Sequence, residues 1–279
     1  MAVSDVSGLS NDHAVAAEGA VARQIEILRG PAALLYGSGA IGGLVNVVNE
    51  RIPSHLEPKT VGQAEVRYGT VDNSRNASGS IDAASGAIGL HIVGNVRRSS
   101  DYKIPGARAL GDPSSERGRL ADSFTEQETG GAGASLIGDW GHVGASVSLL
   151  ESLYGIPSGE GARIDQSQTR YDIDSLLNAP LPGFETLKFK LGYTDYGHAE
   201  IDADGETEVE FSNRSLESRV ELAHKPVFGM HGTLGMQTEN THFSAASEDA
   251  GHITVPPTHS TSVAGFLVNE RDFARLRMN

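Results

Sequence analysis

At 279 residues, with a formal charge of −14, a mean hydropathy of −0.25 and no cysteine, the chain is excluded from several classes at once. The acidic balance argues against nucleic acid or an anionic bilayer surface as partner, since both are held by basic patches; the missing cysteines rule out a disulfide framework and thiolate metal sites. No run approaches the roughly 18 apolar residues of a membrane helix, which excludes a helical membrane protein but not a transmembrane barrel of alternating strands.

Residues 1–19 lack the basic start, apolar core and small-residue cleavage site of a secretory signal. Asn11-Asp12-His13 reads as a turn opening onto a short helix from about Ala14, because Asn and Asp cap helices well. Ile25-Glu26-Ile27-Leu28 alternates as a short strand, Gly30-Pro31 breaks it, and Ala32 to Tyr36 is compatible with a short helix. Gly37, Gly39, Gly42 and Gly43 form a hinge, and the β-branched run Leu44 to Val48 reads as a buried strand. A dinucleotide fingerprint fails here, because it needs G-x-G-x-x-G straight after a strand and before a helix, with an acidic residue further on. Arg51 to Lys59, carrying Pro53 and Pro58, is an extended linker. The domain boundaries expected are thus 1–50, a linker over 51–60, and a β-rich part over 61–279.

From Val61 the period changes to two. Ala64, Val66 and Tyr68 alternate with Gln63, Glu65 and Arg67, and Leu187, Phe189, Leu191 and Tyr193 alternate with Lys188, Lys190 and Thr194. The same pattern recurs over 88–97 and 143–149, and further strands are expected near 75–85, 128–139, 168–179, 207–224, 229–243 and 260–270. An eleventh starts at about Ala274. Short connections at 85–86, 139–141, 179–185, 225–229 and 271–272 alternate with long polar ones at 99–127, 153–168, 198–206 and 244–259. A soluble sandwich also gives alternating strands, but it does not place long connections at every second gap.

The stretch RQIEILRGPAALLYGSGAIGGLVNVV (23–48) closely resembles the end of the plug domain of TonB-dependent outer-membrane receptors, and Asp5 to Arg23 resembles the plug's middle. The resemblance implies an all-β fold with an α+β plug: a partial transmembrane antiparallel barrel of about 10–11 strands out of about 22, preceded by the plug's second half. It implies an internal fragment of a receptor in the outer membrane of a Gram-negative bacterium, coupled to TonB and surrounded by outer-membrane lipid and lipopolysaccharide. No enzymatic step is expected. Neither a Ser-His-Asp order, nor paired-carboxylate spacing, nor an HExxH motif is present.

Ser100-Asp101-Tyr102 with Pro105, Tyr154-Gly155-Ile156-Pro157, Arg170-Tyr171-Asp172, Pro182-Gly183-Phe184-Glu185 and Asp195-Tyr196-Gly197-His198-Ala199-Glu200 resemble the branch that takes up zinc. That branch implies metal ligands at Asp12, His13 and Glu200. If Leu187 to Tyr193 face lipid on odd numbers, His198 and Glu200 share the lumen parity, so His198 joins them. Zn²⁺ is then a transported ligand and no resident cofactor is expected. The plainer readings are a helix cap for Asp12-His13, a loop histidine for His198, a solvated acidic face for Asp202, Asp204 and Glu206, and satisfied lumen groups for His91 and His231. His242, His252 and His259 gather around one long connection. The stretch after Pro157, SGEGARIDQSQ, has no histidine, unlike the His- and Asp-rich insertion of some branch members. Alternatives are a receptor for a siderophore or another metal chelate, a structural barrel without transport, and a truncated relic.

Overall fold

A computed structural model describes residues 5–9, 12–17, 19, 21–30, 43–107, 115, 117–158, 160–247, 255–273 and 276–278. β1 (Gln24–Leu28) and β2 (Leu44–Val48) pair antiparallel in a small sheet of their own. The helix expected over Ala32 to Tyr36, and glycines 37, 39 and 42 of the hinge, lie outside the described residues. The helix expected from Ala14 is not formed over 14–17. There the backbone amide of Ala14 goes to Tyr154, far along the chain, and that of Ala16 to Asp5 across the loop, so the local capping preference of Asn and Asp is overridden.

The main sheet takes β3 (Val61–Tyr68), β4 (Arg75–Ser85) and β5 (Ile88–Ser99). A hairpin of β6 (Tyr102–Ala107) and β7 (Arg117–Leu120) then stands apart as a second small sheet, inside a stretch the sequence reads as loop. The main sheet continues with β8 (Thr125–Gly138), β9 (Gly141–Gly155), β10 (Arg163–Asn178), β11 (Phe184–Ile201), β12 (Thr207–Val227), β13 (Met230–Ser247), β14 (Val255–Phe273) and β15 (Leu276–Met278). Its 11 strands follow chain order, every neighbour antiparallel, with β3 and β15 at the edges. Two-residue turns at 86–87, 139–140 and 228–229 lie at one end; the connections 100–124, 156–162 and 248–254 lie at the other. Several strands outrun their expected ends: β10 begins at Arg163, β11 reaches Ile201, β13 reaches Ser247 and β14 reaches Phe273.

The two faces of this sheet are inverted relative to a soluble protein. Ile88, Leu90, Ile92 and Val96 of β5 are 43–59% exposed, as are Val143 and Leu149, Tyr171 and Ile173, Leu234 and Met236, and Val263 and Leu267 within 39–66%. The opposite face buries polar groups instead: His91, Asn95, Ser135, Ser146, Gln166, Thr194, Asn213 and Glu217. From Ile88 to Val96 is eight residue steps. At about 3.4 Å per residue and a tilt of about 40° this gives a belt about 21 Å tall, close to the apolar band of roughly 25 Å on outer-membrane barrels. An apolar exterior over a polar interior excludes a β-sandwich and makes the sheet a partial barrel wall.

The inner face is covered by the N-terminal segment. Val6 and Ala16 pack on Tyr196 with Phe243 alongside. Lower down the linker lies on β8 and β9. A Cβ at Gly133 would run into the Arg51 carbonyl, and one at Gly144 would meet Ile52 Cγ2 at 2.5 Å. At Gly133 the linker backbone takes the space a side chain needs; at Gly144 the Ile52 side chain, the Ser135 hydroxyl and the Ala134 carbonyl take it together. Inner-face charges are paired rather than bare: Arg170 Nε donates to Asp172 at 2.9 Å and Arg219 Nε to Glu221 at 2.7 Å.

Candidate metal site

The site begins with a loop, 5–16, held from both sides. Asp5 Oδ1 accepts the Ser7 amide and hydroxyl at 3.0 and 2.7 Å, while Oδ2 accepts the Ala16 amide at 2.8 Å, closing the loop across its neck. From the wall, the Tyr154 hydroxyl accepts the Ala14 amide at 2.8 Å and donates to the Asp12 carbonyl at 3.3 Å. With both flanking residues fixed, His13 is turned inward and is 8% exposed.

His13 meets the wall at β11. Its Nδ1–H donates to the Val6 carbonyl at 3.1 Å, and its Nε2 lies 2.9 Å from Glu200 Oε1. His198 sits on the same strand at the inward parity shared by Thr194 and Tyr196, and its side chain is fully buried. The β12 partner directly opposite it is Phe211, whose ring stacks on the imidazole at 4.3 Å and 14°. His13 meets His198 edge-on at 4.7 Å. The Tyr196 hydroxyl is 3.0 Å from His198 Nδ1. That leaves His198 Nε2 buried without a hydrogen-bond partner, 3.9 Å from Glu200 Oε1.

Two imidazole nitrogens and one carboxylate oxygen therefore converge, all within 4.8 Å of one another. Donors on a tetrahedral ion at about 2.1 Å sit about 3.4 Å apart; the two separations from Glu200 Oε1, 2.9 and 3.9 Å, bracket that value. Neutral imidazole and carboxylate suit Zn²⁺ and similar borderline divalent ions, and three protein ligands leave a fourth position open. Each histidine is also held through its other nitrogen, the usual outer support of a metal-ligating ring.

Of the four residues expected as ligands, the structure brings His13, His198 and Glu200 together. Asp12 is exposed, and its carboxylate stands outside that group, although its carbonyl takes part in the loop anchor. His198 and Glu200 are strand residues rather than part of a loop, the strand running to a bulge between Glu200 and Ile201. Asp202 closes the following turn by accepting the Glu206 amide at 2.8 Å. His91 bonds Asp82 at 2.7 Å. Sequence reasoning missed Phe211, and it quoted Tyr154 and Tyr196 only as parts of motifs. Tyr196 carries a sequence signal in the inward parity of β11, whereas Tyr154 falls in the expected connection 153–168, whose first residues the structure makes the end of β9.

No protein-family model matches the chain. A stretch of 94 residues is 36% identical to the hemin receptor of Yersinia pestis, covering 31% of this chain and 14% of that protein. Another of 123 residues is 28% identical to the probable TonB-dependent siderophore receptor PirA of Acinetobacter baumannii, covering 38% and 16%. Among solved structures the copper transporter OprC is similar with a TM-score of 0.72 over 92% of this chain and 41% of that one, at 13% identity, which speaks for the fold alone. The chain spans less than half the length of these proteins. The relatives are receptors and transporters rather than enzymes. In sequence the chain is thus similar over part of its length to a TonB-dependent receptor, and in fold to part of an outer-membrane transporter.

Proposed function

We propose that this chain is the second half of the plug and the first half of the barrel of an outer-membrane transporter that imports a metal ion, zinc first, into a Gram-negative cell. The observation that carries the reading is the convergence of His13 on the loop with His198 and Glu200 on the wall. Lipid and lipopolysaccharide cover the outward apolar belt, and TonB supplies the pull on the plug.

The ligand set is split between two bodies, and this gives the transport step a physical form. Loops at the long-connection end admit the ion, and His13, His198 and Glu200 hold it. A pull that moves the plug withdraws His13 from the other two, and a site reduced to one imidazole and one carboxylate lets the ion go. The hemin and siderophore receptors among the relatives favour a second reading, a metal chelate as cargo. The small, buried donor set favours an ion instead: the His13 and His198 side chains are 4% and 0% exposed, and with Glu200 they offer three donor atoms within 4.8 Å of one another.

Calorimetry on the full-length receptor tests the site. His13→Ala and Glu200→Gln should each weaken zinc binding by more than the 10–100-fold typical of outer-shell changes, and unchanged affinity in both would sink it. Competition between zinc and ferric chelates for uptake separates the two cargoes.

A further inference from the structure

We infer that Tyr196, which touches no ion itself, is a positioning residue that selects the tautomer in which His198 can bind metal; this rests on the metal reading above. A neutral imidazole carries one hydrogen. With metal on Nε2, that hydrogen must be on Nδ1, where the group within hydrogen-bond reach is the Tyr196 oxygen at 3.0 Å. His198 is fully buried, so water cannot replace the hydroxyl as acceptor.

The ring has little freedom to seek another partner. Phe211 stacks on one face at 4.3 Å and His13 closes edge-on at 4.7 Å. Tyr196 is itself 2% exposed, with Val6 and Ala16 packed on it. With metal bound the two histidines share one plan: His13 rests its Nδ1–H on a backbone carbonyl and His198 rests its own on a phenol oxygen, so that both Nε2 atoms turn to Glu200.

Removing the hydroxyl strands an Nδ1–H in the metal-bound state. In the metal-free state the ring can move its hydrogen to Nε2, which leaves Nδ1 a buried acceptor without a partner, so Tyr196→Phe also costs stability. The affinity loss is therefore read against each variant's own metal-free state.

The test uses the full-length receptor with Zn²⁺ alone as ligand. Tyr196→Phe should weaken binding by about 10–100-fold, and it should have no further effect in a His198→Ala background. Cu²⁺ as a spectroscopic probe should show coupling to two imidazole nitrogens in the parent, and one of these two couplings should be weakened in Tyr196→Phe. Each variant is also read as its own zinc-induced rise in melting temperature, so a destabilised variant still reports. Unchanged affinity together with unchanged nitrogen couplings in Tyr196→Phe overturns the inference and leaves the metal site standing. Unchanged affinity in His13→Ala and Glu200→Gln overturns the site itself.

Discussion

The wall carries two close pairs of histidines, and they face opposite ways. His13 and His198 meet on the inner face, buried, with Glu200 between their Nε2 atoms. His242 and His259 are direct cross-strand partners on β13 and β14, stacked at 4.4 Å and 17°. Phe243, the neighbour of His242, packs on the inner cluster, so His242 points outward. His259 Nε2 bonds Asn240 at 2.6 Å, and among the described residues no acidic side chain joins this pair into a group of three ligands. Imidazoles close together are thus not sufficient for a site. Strand phase decides whether a pair is dry or wet, and the inner pair gains a carboxylate and two outer supports because its phase brings it against the loop.

The sharpest way to break this contrast is to exchange the pairs' roles in a zinc titration. His198→Ala should cost more than 100-fold in affinity, beyond the outer-shell range of about 10–100-fold, while His242→Ala with His259→Ala should leave it unchanged. Equal losses would mean that proximity alone matters. The phase itself is tested next. Ile92→Lys, in the outward belt, should destabilise the full-length receptor in lipid by about 2–4 kcal/mol, read by denaturant titration, whereas the outward but higher His242→Lys should cost clearly less. Gly144→Val, on the inner face under Ile52, should cost about 1–3 kcal/mol by overpacking without altering zinc affinity. The smallest change expected is Asp12→Asn, at no more than about tenfold in zinc affinity; a loss as large as that of His13→Ala would make its carboxylate the fourth ligand.

The wall was legible because a period of two survives in sequence. Leu187, Phe189, Leu191 and Tyr193 fix the outward parity of β11, and counting on from them puts His198 and Glu200 inside. The strand ends were less legible, since Arg163 and Asp165 put charge on the outward face while Ile164 is buried on the inward one, reversing the polarity of the belt's alternation. The hairpin of β6 and β7 carries Pro105 within it, a residue that argues against a strand. The misplaced helix at Ala14 has a similar cause: Asn and Asp advertise a cap locally, but Tyr154, 140 positions away, takes the Ala14 amide. Phe211 was out of reach for a different reason. Its pairing with His198 depends on the register of β11 against β12, which the five-residue connection 202–206 and the bulge at Glu200/Ile201 set jointly.

The linker seated on Gly133 and Gly144 also bears on how the molecule is assembled. A wall formed without that strand of backbone would present a trough with no side chains to fill it, and the linker alone has no sheet to lie on. Neither surface is complete by itself: the groove over Gly133 and Gly144 is filled by Arg51 and Ile52, so the linker is part of the packing of β8 and β9 and not only a tether between two parts of the chain.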